Sequence, residues 1–307
     1  MKKSETILFF GNERLATGVS TDTPILKALV LNGYKVGAII VPLPPQLKSS
    51  RKKRPLEVAE FAQANNIPLI ELKSLKESAN ELTQFNASAG VLASFGKMVP
   101  QEIINLFPYG IINIHPSLLP LHRGPIPIEA TILEGSTETG VSLMQLVSQM
   151  DAGPIFDQTR VKLNGTESKQ ELADKLGSIG AKRLTTLLPG IFDGSLQSKP
   201  QNGSATYDKR LGGYQSILDY NLPAETLERQ IRAFLGWPRS KTTIGDLPVI
   251  VTKAHSTNER TGSIGVFDSI NNQLAVNTSK GLLIIDRLIP SSANEMSGSD
   301  FLLGHPL

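Results

Sequence analysis

Short apolar runs alternate with helix-like segments over the first 115 residues of this chain of 307 residues. A strand that is buried on both faces of a parallel sheet reads as such a run, and a helix returns the chain to the next strand. We therefore predict strands at residues 6–10, 36–41, 68–72, 89–94 and 111–115, and helices at 24–31, 55–65, 75–85 and 100–107. This alternation predicts an α/β domain with a Rossmann-like parallel sheet, whose ligands would lie at the carboxyl ends of the strands.

The second half of the chain changes character after residue 193. A long helix is predicted at 166–188, ended by Pro189 and Gly190, and residues 194–206 have the Gly, Ser, Pro and Gln content of a linker. Beyond it we predict one helix at 224–234 and strands at 240–244, 248–254, 262–268, 273–278 and 281–288. Closely spaced short strands predict a small OB-like β-barrel. The expected domains are 1–193 (catalytic), 194–206 (linker) and 207–307 (barrel).

Composition excludes several classes of chemistry. The chain has no cysteine, so disulfides, thiolate catalysis and Cys-based metal sites are excluded. No apolar run reaches about 18 residues, so we expect no membrane span. The apolar segment of the first strand stops at Gly11 with charges close behind, which argues against a secretory signal. The net charge of +3 is modest.

Three polar residues carry the strongest chemical signal. Asn113 and His115 are two positions apart at the end of a predicted strand, so their side chains point the same way. Asp151 follows in a loop with the sequence SQMDAGP. An amide and an imidazole can stabilise a tetrahedral oxyanion, while a carboxylate orients the imidazole and moves protons. The pattern favours acyl transfer; the alternative is that Asn113 merely caps a turn.

A metal site is not expected from the four histidines of the chain. Pro116 and Pro120 separate His115 from His122 and prevent a helix that would bring the two rings together. We interpret His122 as a loop residue, and His255 and His305 as surface residues.

The residues around this trio resemble the folate-dependent formyltransferases. The resemblance includes Asn113-x-His115, the string Ser117-Leu118-Leu119-Pro120, Arg123-Gly124 and Asp151-x-Gly153. It implies direct transfer of a formyl group from N10-formyltetrahydrofolate to an amine, with Asn113, His115 and Asp151 as the catalytic residues. The absence of cysteine and of a G-x-S-x-G elbow agrees with transfer that forms no covalent enzyme intermediate.

The resemblance also implies where the formyl donor binds. The expected donor-binding residues are Gly96, Ser117, Leu118, Leu119, Pro120, Gln149 and Met150. One departure lies after the first strand, where the family usually has a turn followed by a Phe and this chain has Gly11-Asn12-Glu13-Arg14. We expect Glu13 to be a surface charge.

The remaining motifs bear on the amine acceptor. Family members that act on initiator methionyl-tRNA carry a basic insertion after the second strand, where this chain has KSSRKKR. They also end in a C-terminal domain with motifs like Ala205-Thr206-Tyr207-x-Lys209 and Ile231-Arg232-Ala233-Phe234-x-x-Trp237-Pro238. The expected acceptor-binding residues are Arg51, Lys52, Lys53, Arg54, Arg123, Lys209 and Arg232. Phe234 and Trp237 are expected in the core. A loop at 291–296 lacks the positive charge of related enzymes.

The acceptor implied by this resemblance is the initiator methionyl-tRNA, and the implied role is in translation initiation. Two alternatives stay open: formylation of a sugar nucleotide or another small amine, and RNA binding without catalysis. Isolated basic runs are also common as solvated loops. We expect a cytoplasmic monomer that uses no metal and has no membrane partner.

Overall fold

The computed structural model describes residues 5–43, 57–259 and 261–307, which form two compact units. The first unit contains the segment that ends at Pro127, together with Glu138–Lys162 and Gln170–Lys209. The second unit contains Ile128–Thr137, Leu163–Lys169 and Arg210–Leu307. The domain boundaries expected from the sequence stay predictions. None of the described helices is long and apolar enough to cross a bilayer.

Seven strands form the sheet of the first unit. They are β1 (Thr6–Phe10), β2 (Lys35–Pro42), β3 (Leu69–Leu72), β4 (Ala89–Leu92), β5 (Ile111–His115), β6 (Glu138–Gln145) and β7 (Ile155–Lys162), in the order β3-β2-β1-β4-β5-β6-β7. Neighbours from β3 to β5 pair in parallel, whereas β6 and β7 are added antiparallel. The predicted Rossmann-like fold class is confirmed, and the two antiparallel strands extend the sheet at one edge.

Eight α-helices accompany these strands and those of the second unit within the described residues. They are α1 (Pro24–Leu31), α2 (Glu57–Ala64), α3 (Ala79–Thr83), α4 (Gln101–Ile104), α5 (Pro127–Glu134), α6 (Lys169–Phe192), α7 (Ala224–Ala233) and α8 (Gly298–Gly304). On one side of the first sheet, Phe10 packs edge-to-face against Phe95 and Phe107 with ring centroids 5.8 Å apart in both pairs. This aromatic cluster packs the carboxyl end of β1 against the segments that follow β4 and α4.

The sequence analysis predicted that Pro189 and Gly190 would end helix α6, and this prediction is wrong. The helix continues to Phe192, with Pro189 inside it. Proline has no N–H, so the carbonyl oxygen of Thr185 loses its helical donor. The hydroxyl of Tyr34 lies 3.4 Å from that oxygen and donates to it. A tertiary contact therefore replaces the missing bond and lets the helix pass the proline.

Glu13 is buried rather than a surface charge, which corrects our expectation. Its side chain is only 4% exposed, and its two carboxyl oxygens accept hydrogen bonds from the backbone N–H groups of Ile25 and Leu26, at 3.0 and 2.9 Å. Thr23 occupies the N-cap position of α1 but makes no side-chain cap. Glu13 caps this helix from the loop that precedes it and satisfies two of its free N–H groups. Burial raises the pKa of Glu13 to about 7.

The second unit contains a separate antiparallel sheet, as predicted for the C-terminal part. Its strands are β8 (Ser240–Ile244), β9 (Leu247–Thr257), β10 (Phe267–Ile270), β11 (Gln273–Asn277), β12 (Leu282–Pro290) and β13 (Met296–Ser297). They follow the order β10-β11-β12-β9-β8, with β13 paired to β12. Helix α7 buries Leu227 and Ile231 in the core of this unit. The strand predicted at 262–268 begins only at Phe267.

Two aromatic residues that follow α7 were both expected in the core. Phe234 is buried, which confirms that expectation. Trp237 is 44% exposed, so the expectation was wrong for this residue. The backbone oxygen of Trp237 points inward and lies 3.4 Å from the ammonium of Lys169. Lys169 also pairs with Glu129 at 3.5 Å, and both side chains are almost completely buried. The backbone of Trp237, rather than its ring, is therefore tied to the interior.

Candidate active site

Strand β5 ends with the two residues that the sequence singled out. Asn113 pairs with Leu92 of the parallel neighbour and with Met144 of the antiparallel one, and His115 lies opposite Ser142. Both side chains are more than nine-tenths buried. Because they are two residues apart in a strand, they share one face of the sheet at its carboxyl edge.

Asp151 reaches this edge from the loop between β6 and β7. Its backbone adopts a left-handed conformation with φ of 46°. Two residues later the loop passes so close to β6 that a Cβ on Gly153 would lie 1.8 Å from the backbone oxygen of Gln145. Only glycine fits there, and this close approach turns the loop back over the strand ends.

The three side chains converge on one carboxyl oxygen. Asp151 Oδ1 lies 3.4 Å from Asn113 Nδ2 and 3.8 Å from His115 Nδ1. The second contact is longer than a hydrogen bond, and the first is at the long end of the range. Catalytic contacts of this kind are often long before substrate binds. The geometry therefore brings the predicted trio together at one point of the sheet edge.

The other oxygen of Asp151 is fixed by the backbone. Gly124 donates its N–H to Asp151 Oδ2 at 2.8 Å. Gly124 has φ of 121°, and a Cβ there would lie 2.6 Å from the backbone oxygen of Asp208. The Arg123-Gly124 pair of the sequence motif thus supplies a structural hydrogen bond, which leaves Oδ1 as the oxygen that faces Asn113 and His115.

The imidazole of His115 is oriented by a backbone carbonyl. Its Nε2 lies 2.9 Å from the backbone oxygen of His122. A carbonyl only accepts hydrogen bonds, so this contact assigns a proton to Nε2. His115 Nδ1 is then the nitrogen that faces Asp151 and the site.

His122 lies in a loop, as expected, but it is buried. Its backbone has φ of 57°, which directs its carbonyl towards His115. Its own ring nitrogen Nδ1 lies 3.3 Å from a carboxylate oxygen of Asp208. The backbone N–H of His122 donates to Thr206 Oγ1 at 2.7 Å. The sequence analysis missed the hydrogen bond from His115 to the carbonyl of His122, because the direction of a main-chain carbonyl cannot be inferred from the residue type.

The loop 117–120, expected to bind the formyl donor, is held tightly against the sheet. Ser117 donates its hydroxyl to Leu121 O at 2.7 Å, and Ser142 Oγ receives the N–H of Leu119 at 3.1 Å. Gln158 donates to Leu119 O at 2.7 Å. The side chains of Ser117 and Leu119 are buried, so this loop forms a rigid wall behind the trio.

The other expected donor-binding residues lie on more open loops. Gly96 has φ of 73°, with open space around the position of a Cβ. Gln149 is exposed, and Met150 presents an apolar side chain that is 43% exposed directly before Asp151. Leu118 packs over Gly140 of β6, and Pro120 is half-buried. The donor-binding roles of these residues stay predictions.

The expected acceptor-binding residues are placed differently from one another. Arg123 lies beside the trio with three neutral contacts: its Nε and Nη2 donate to Gln201 Oε1 at 3.2 and 2.6 Å, and its Nη1 donates to the hydroxyl of Tyr207 at 2.7 Å. No ion pair of Arg123 occurs within the part of the chain that the structure describes.

Lys209 is exposed, and Arg232 is largely buried in the second unit. Arg232 Nη1 donates to the backbone oxygen of Glu167 at 2.8 Å, and burial lowers the pKa of its guanidinium. Arg51, Lys52, Lys53 and Arg54 lie outside the described residues. For all of these residues an acceptor-binding role stays a prediction.

Comparison with known proteins agrees with this geometry. The model of the Formyl transferase family matches residues 18–188, and that of the Formyl transferase C-terminal domain matches residues 213–306. Methionyl-tRNA formyltransferase of Chloroflexus aurantiacus is 34% identical over 306 residues, which cover 97% of this chain and 96% of the relative.

Solved structures share the fold at lower identity. An N-formyltransferase from Helicobacter canadensis, crystallised with folinic acid and dTDP-3-aminofucose, is 22% identical with a TM-score of 0.65, over 95% of this chain and 98% of its own. HypX from Aquifex aeolicus, in complex with tetrahydrofolic acid, is 14% identical with a TM-score of 0.68, over 96% of this chain and 46% of its own. This chain spans about half the length of HypX. The chain belongs to the formyl transferase family and matches methionyl-tRNA formyltransferases along nearly its whole length.

Proposed function

We propose that this chain is an enzyme that transfers the formyl group of N10-formyltetrahydrofolate to the α-amino group of methionyl-tRNA. The observation that carries the proposal is the convergence of Asn113, His115 and Asp151 at the carboxyl edge of the sheet. In the reaction a bond forms between the amine nitrogen and the formyl carbon, the bond from that carbon to N10 breaks, and N10 gains a proton.

Asn113 and His115 stabilise the charge that develops on the formyl oxygen. Asn113 Nδ2 offers N–H donors, and His115 Nδ1 offers another when the ring is doubly protonated. The contact of His115 Nε2 with the carbonyl of His122 and the position of Asn113 within strand β5 hold both groups in place beforehand, so little reorganisation is needed during the reaction. Such preorganised donors are worth about 100- to 1,000-fold in turnover each.

Asp151 serves the nucleophile and the imidazole. Its Oδ1 can accept the proton of the ammonium that forms when the neutral amine attacks the formyl carbon and, when His115 is an imidazolium, it stabilises that charge. Because Oδ2 is already occupied by Gly124, only Oδ1 changes partners during the reaction. The main-chain bond thereby fixes the direction from which the carboxylate acts.

The residues present fit the formyl donor. The rigid loop 117–120 supplies a wall, and the exposed thioether of Met150 supplies apolar surface next to Asp151. The pyrimidine ring of the reduced pterin is flat and carries polar edges, so it suits a slot with one apolar face and polar groups at its rim. We expect Gly96, Gln149 and Met150 to contact it.

The proposed acceptor is the initiator methionyl-tRNA, which would place the reaction in the cytoplasm and in translation initiation. The near full-length similarity to a methionyl-tRNA formyltransferase supports this choice over a sugar nucleotide. The basic residues Arg51, Lys52, Lys53 and Arg54 would bind phosphates of the tRNA, and Arg123, Lys209 and Arg232 would complete or support the acceptor site. We propose that the enzyme acts as a monomer.

Purified protein tests the proposal directly. It would be incubated with N10-formyltetrahydrofolate and either methionyl-tRNA or a dTDP-amino sugar, and formylated product would be measured for each acceptor. Formylation of methionyl-tRNA alone is the expected result. Formylation of the sugar alone would reject the tRNA assignment, and tRNA binding without product from either amine would favour a non-catalytic RNA-binding protein.

The basic segment at residues 51–54 has a test of its own. Replacing Arg51, Lys52, Lys53 and Arg54 by neutral residues should raise the KM for methionyl-tRNA and flatten its dependence on salt concentration. Lys35→Ala is the control. Lys35 is exposed at the amino end of β2, on the edge of the sheet opposite the candidate site. An unchanged salt dependence in the neutralised variant would reject a role for this basic segment in binding phosphate.

A further inference from the structure

Residues 199–208, here called the strap, are hydrogen-bonded to both loops of the candidate site. The backbone of Lys199 pairs with Ile155, with N–O distances of 2.7 and 2.8 Å, just beyond the Asp151 loop. At the other end the N–H of Arg123 donates to Thr206 O at 3.0 Å, and that of Asp208 donates to Arg123 O at 2.8 Å. The strap therefore joins the loop of Asp151 to the loop of Gly124 within the first unit.

Two strap residues are half-buried, and two exposed ones reach the site through their hydroxyl groups: Thr206 accepts from the backbone N–H of His122, and Tyr207 accepts from Arg123. Within 199–208 every residue is exposed except Gln201 and Asp208, which are half-buried. A glutamine that leaves solvent in an otherwise exposed polar segment must find partners inside, because an unsatisfied buried amide is costly.

Gln201 uses its whole amide group on the candidate site. Its Nε2 donates to the backbone oxygens of Asp151 and Gly153, both at 2.8 Å. Its Oε1 accepts from two guanidinium nitrogens of Arg123, at 2.6 and 3.2 Å. The amide of Gln201 thus binds three residues of the sequence motif at once, through two N–H donors and one acceptor oxygen. The contacts to Asp151 and Gly153 fix the orientation of this amide, because backbone oxygens require N–H donors.

Asp151 is held from two sides as a result. Its side chain is fixed at Oδ2 by Gly124, and its backbone oxygen is fixed by Gln201. The residue has positive φ, a conformation that is uncommon for residues other than glycine and that surrounding contacts help to maintain. Without the amide of Gln201, the carbonyls of Asp151 and Gly153 lose a shared donor, and the loop has less reason to keep Oδ1 near Asn113 and His115.

We propose that Gln201 is a positioning residue for Asp151: its amide holds the Asp151–Gly153 loop in the conformation that formyl transfer requires. The inference rests on the proposed function for its kinetic consequence. Gln201 does not contact the reacting atoms in this account, so its loss should slow the chemical step and leave substrate binding nearly unchanged.

Two substitutions separate the contacts that the amide makes. Gln201→Met keeps the approximate shape and removes every hydrogen bond. Gln201→Glu keeps acceptors for Arg123 but removes both donors to the loop carbonyls. Both variants should lower kcat for formylation of methionyl-tRNA by about 10- to 100-fold, the cost of a misplaced catalytic group. The KM values for both substrates should stay within about twofold.

The control is Gln197→Met. Gln197 belongs to the same polar segment, but among the described residues its Nε2 donates only to the nearby backbone oxygen of Gly194, at 2.8 Å. This variant should turn over like the wild-type enzyme. Wild-type kcat in either Gln201 variant, or a rise in KM at constant kcat, would overturn the proposal. Loss of activity in Gln201→Met alone would assign the effect to the Arg123 contact instead of the loop, and would overturn it as well.

Amide hydrogen exchange provides a readout that does not depend on turnover. In both Gln201 variants, exchange should become faster at residues 149–155 and at Gly124, and it should be unchanged in Gln197→Met. Unchanged exchange in the Gln201 variants would contradict the positioning role even if every acceptor tested proved inactive. Inactivity of the wild-type protein towards all amines, with faster exchange in the variants, would reject the proposed function alone.

Discussion

The Nε2 atom of His115 lies 2.9 Å from the backbone carbonyl oxygen of His122. This contact divides the imidazole between two tasks, since the nitrogen that binds the carbonyl cannot also serve the substrate. Nδ1, which lies 3.8 Å from Asp151 Oδ1, is left for the reaction. The mechanism therefore assigns an orienting role to one ring nitrogen and a catalytic role to the other.

Two amide substitutions of His115 test this division. The amide nitrogen of His115→Asn can occupy the position of Nδ1, whereas that of His115→Gln can occupy the position of Nε2. Both variants should lose about 100-fold or more in kcat, because a charged donor is removed. We expect His115→Asn to keep the higher residual rate of the two in single-turnover formyl transfer. A faster His115→Gln would assign the catalytic role to Nε2.

The close approach at Gly153 predicts a combined loss of stability and activity. In Gly153→Ala the new methyl group meets the backbone oxygen of Gln145 at 1.8 Å, so the loop must move. We expect the free energy of unfolding to fall by about 1–3 kcal/mol, as for other overpacked sites, and kcat to fall as well. Chemical denaturation and steady-state kinetics measure the two effects. Gly213→Ala, where a Cβ meets nothing within 4 Å, should change neither; a stable, active Gly153→Ala would show that the loop does not depend on this contact.

The buried carboxyl group of Glu13 predicts a pH dependence of stability. Burial raises the pKa of Glu13 from 4.5 to about 7, against the opposing effect of its two backbone hydrogen bonds. Between pH 4.5 and about pH 7, Glu13 is protonated in the folded protein but ionised in the unfolded chain. Glu13 therefore makes the free energy of unfolding fall as the pH rises through this range. The total loss is about 3 kcal/mol, and it is complete just above pH 7.

Glu13→Gln removes that titration. Relative to the wild-type protein, the variant should be less stable near pH 4.5, because it offers one acceptor for two N–H groups, and should gain relative stability up to pH 7. Urea denaturation at several pH values measures the difference. A constant difference between the two proteins from pH 4.5 to 8 would contradict the raised pKa.

Most of the parallel sheet could be predicted because its signal is local. Strands β1 and β5 and helix α1 begin and end where the apolar runs and turn residues indicated. β6 and β7 were not predicted. β6 is buried on almost every residue, so it lacks the alternation of a half-buried strand, and β7 is an edge strand with few buried residues. β6 pairs antiparallel with β5, and β7 pairs antiparallel with β6 across the turn that carries Asp151, so neither strand follows the parallel strand–helix–strand pattern.

The errors have a common physical cause, which is a distant partner. The hydroxyl of Tyr34 donates to the carbonyl of Thr185, which lets α6 continue beyond Pro189. The N–H groups at the N-terminus of α1 bind the carboxylate of Glu13 and stabilise it in the interior. The ring of Trp237 is 44% exposed, while its backbone oxygen contacts buried Lys169. Propensity and periodicity describe a residue and its neighbours in sequence, so they cannot reveal these tertiary contacts.

The sequence identified the three central residues of the candidate site but not the contacts that hold them in place. Asn113, His115 and Asp151 were named from the motif, and the structure brings them together at Asp151 Oδ1. The supports were missed: the carbonyl of His122, the N–H of Gly124 and the amide of Gln201. Gln201 lies in a segment whose composition is typical of a linker, so no pattern distinguished it from the neighbouring polar residues.

The rate of a single turnover with Asp151→Asn tests the central claim most directly. The variant keeps the shape of the side chain and an oxygen for Gly124, but it loses the anion that faces Asn113 and His115. Asp174→Asn, which changes an exposed carboxylate on α6, is the control. Our account predicts that formyl transfer to methionyl-tRNA slows by at least about 100-fold in Asp151→Asn, with substrate affinities and control unchanged. A rate within about threefold of the wild-type rate would contradict it.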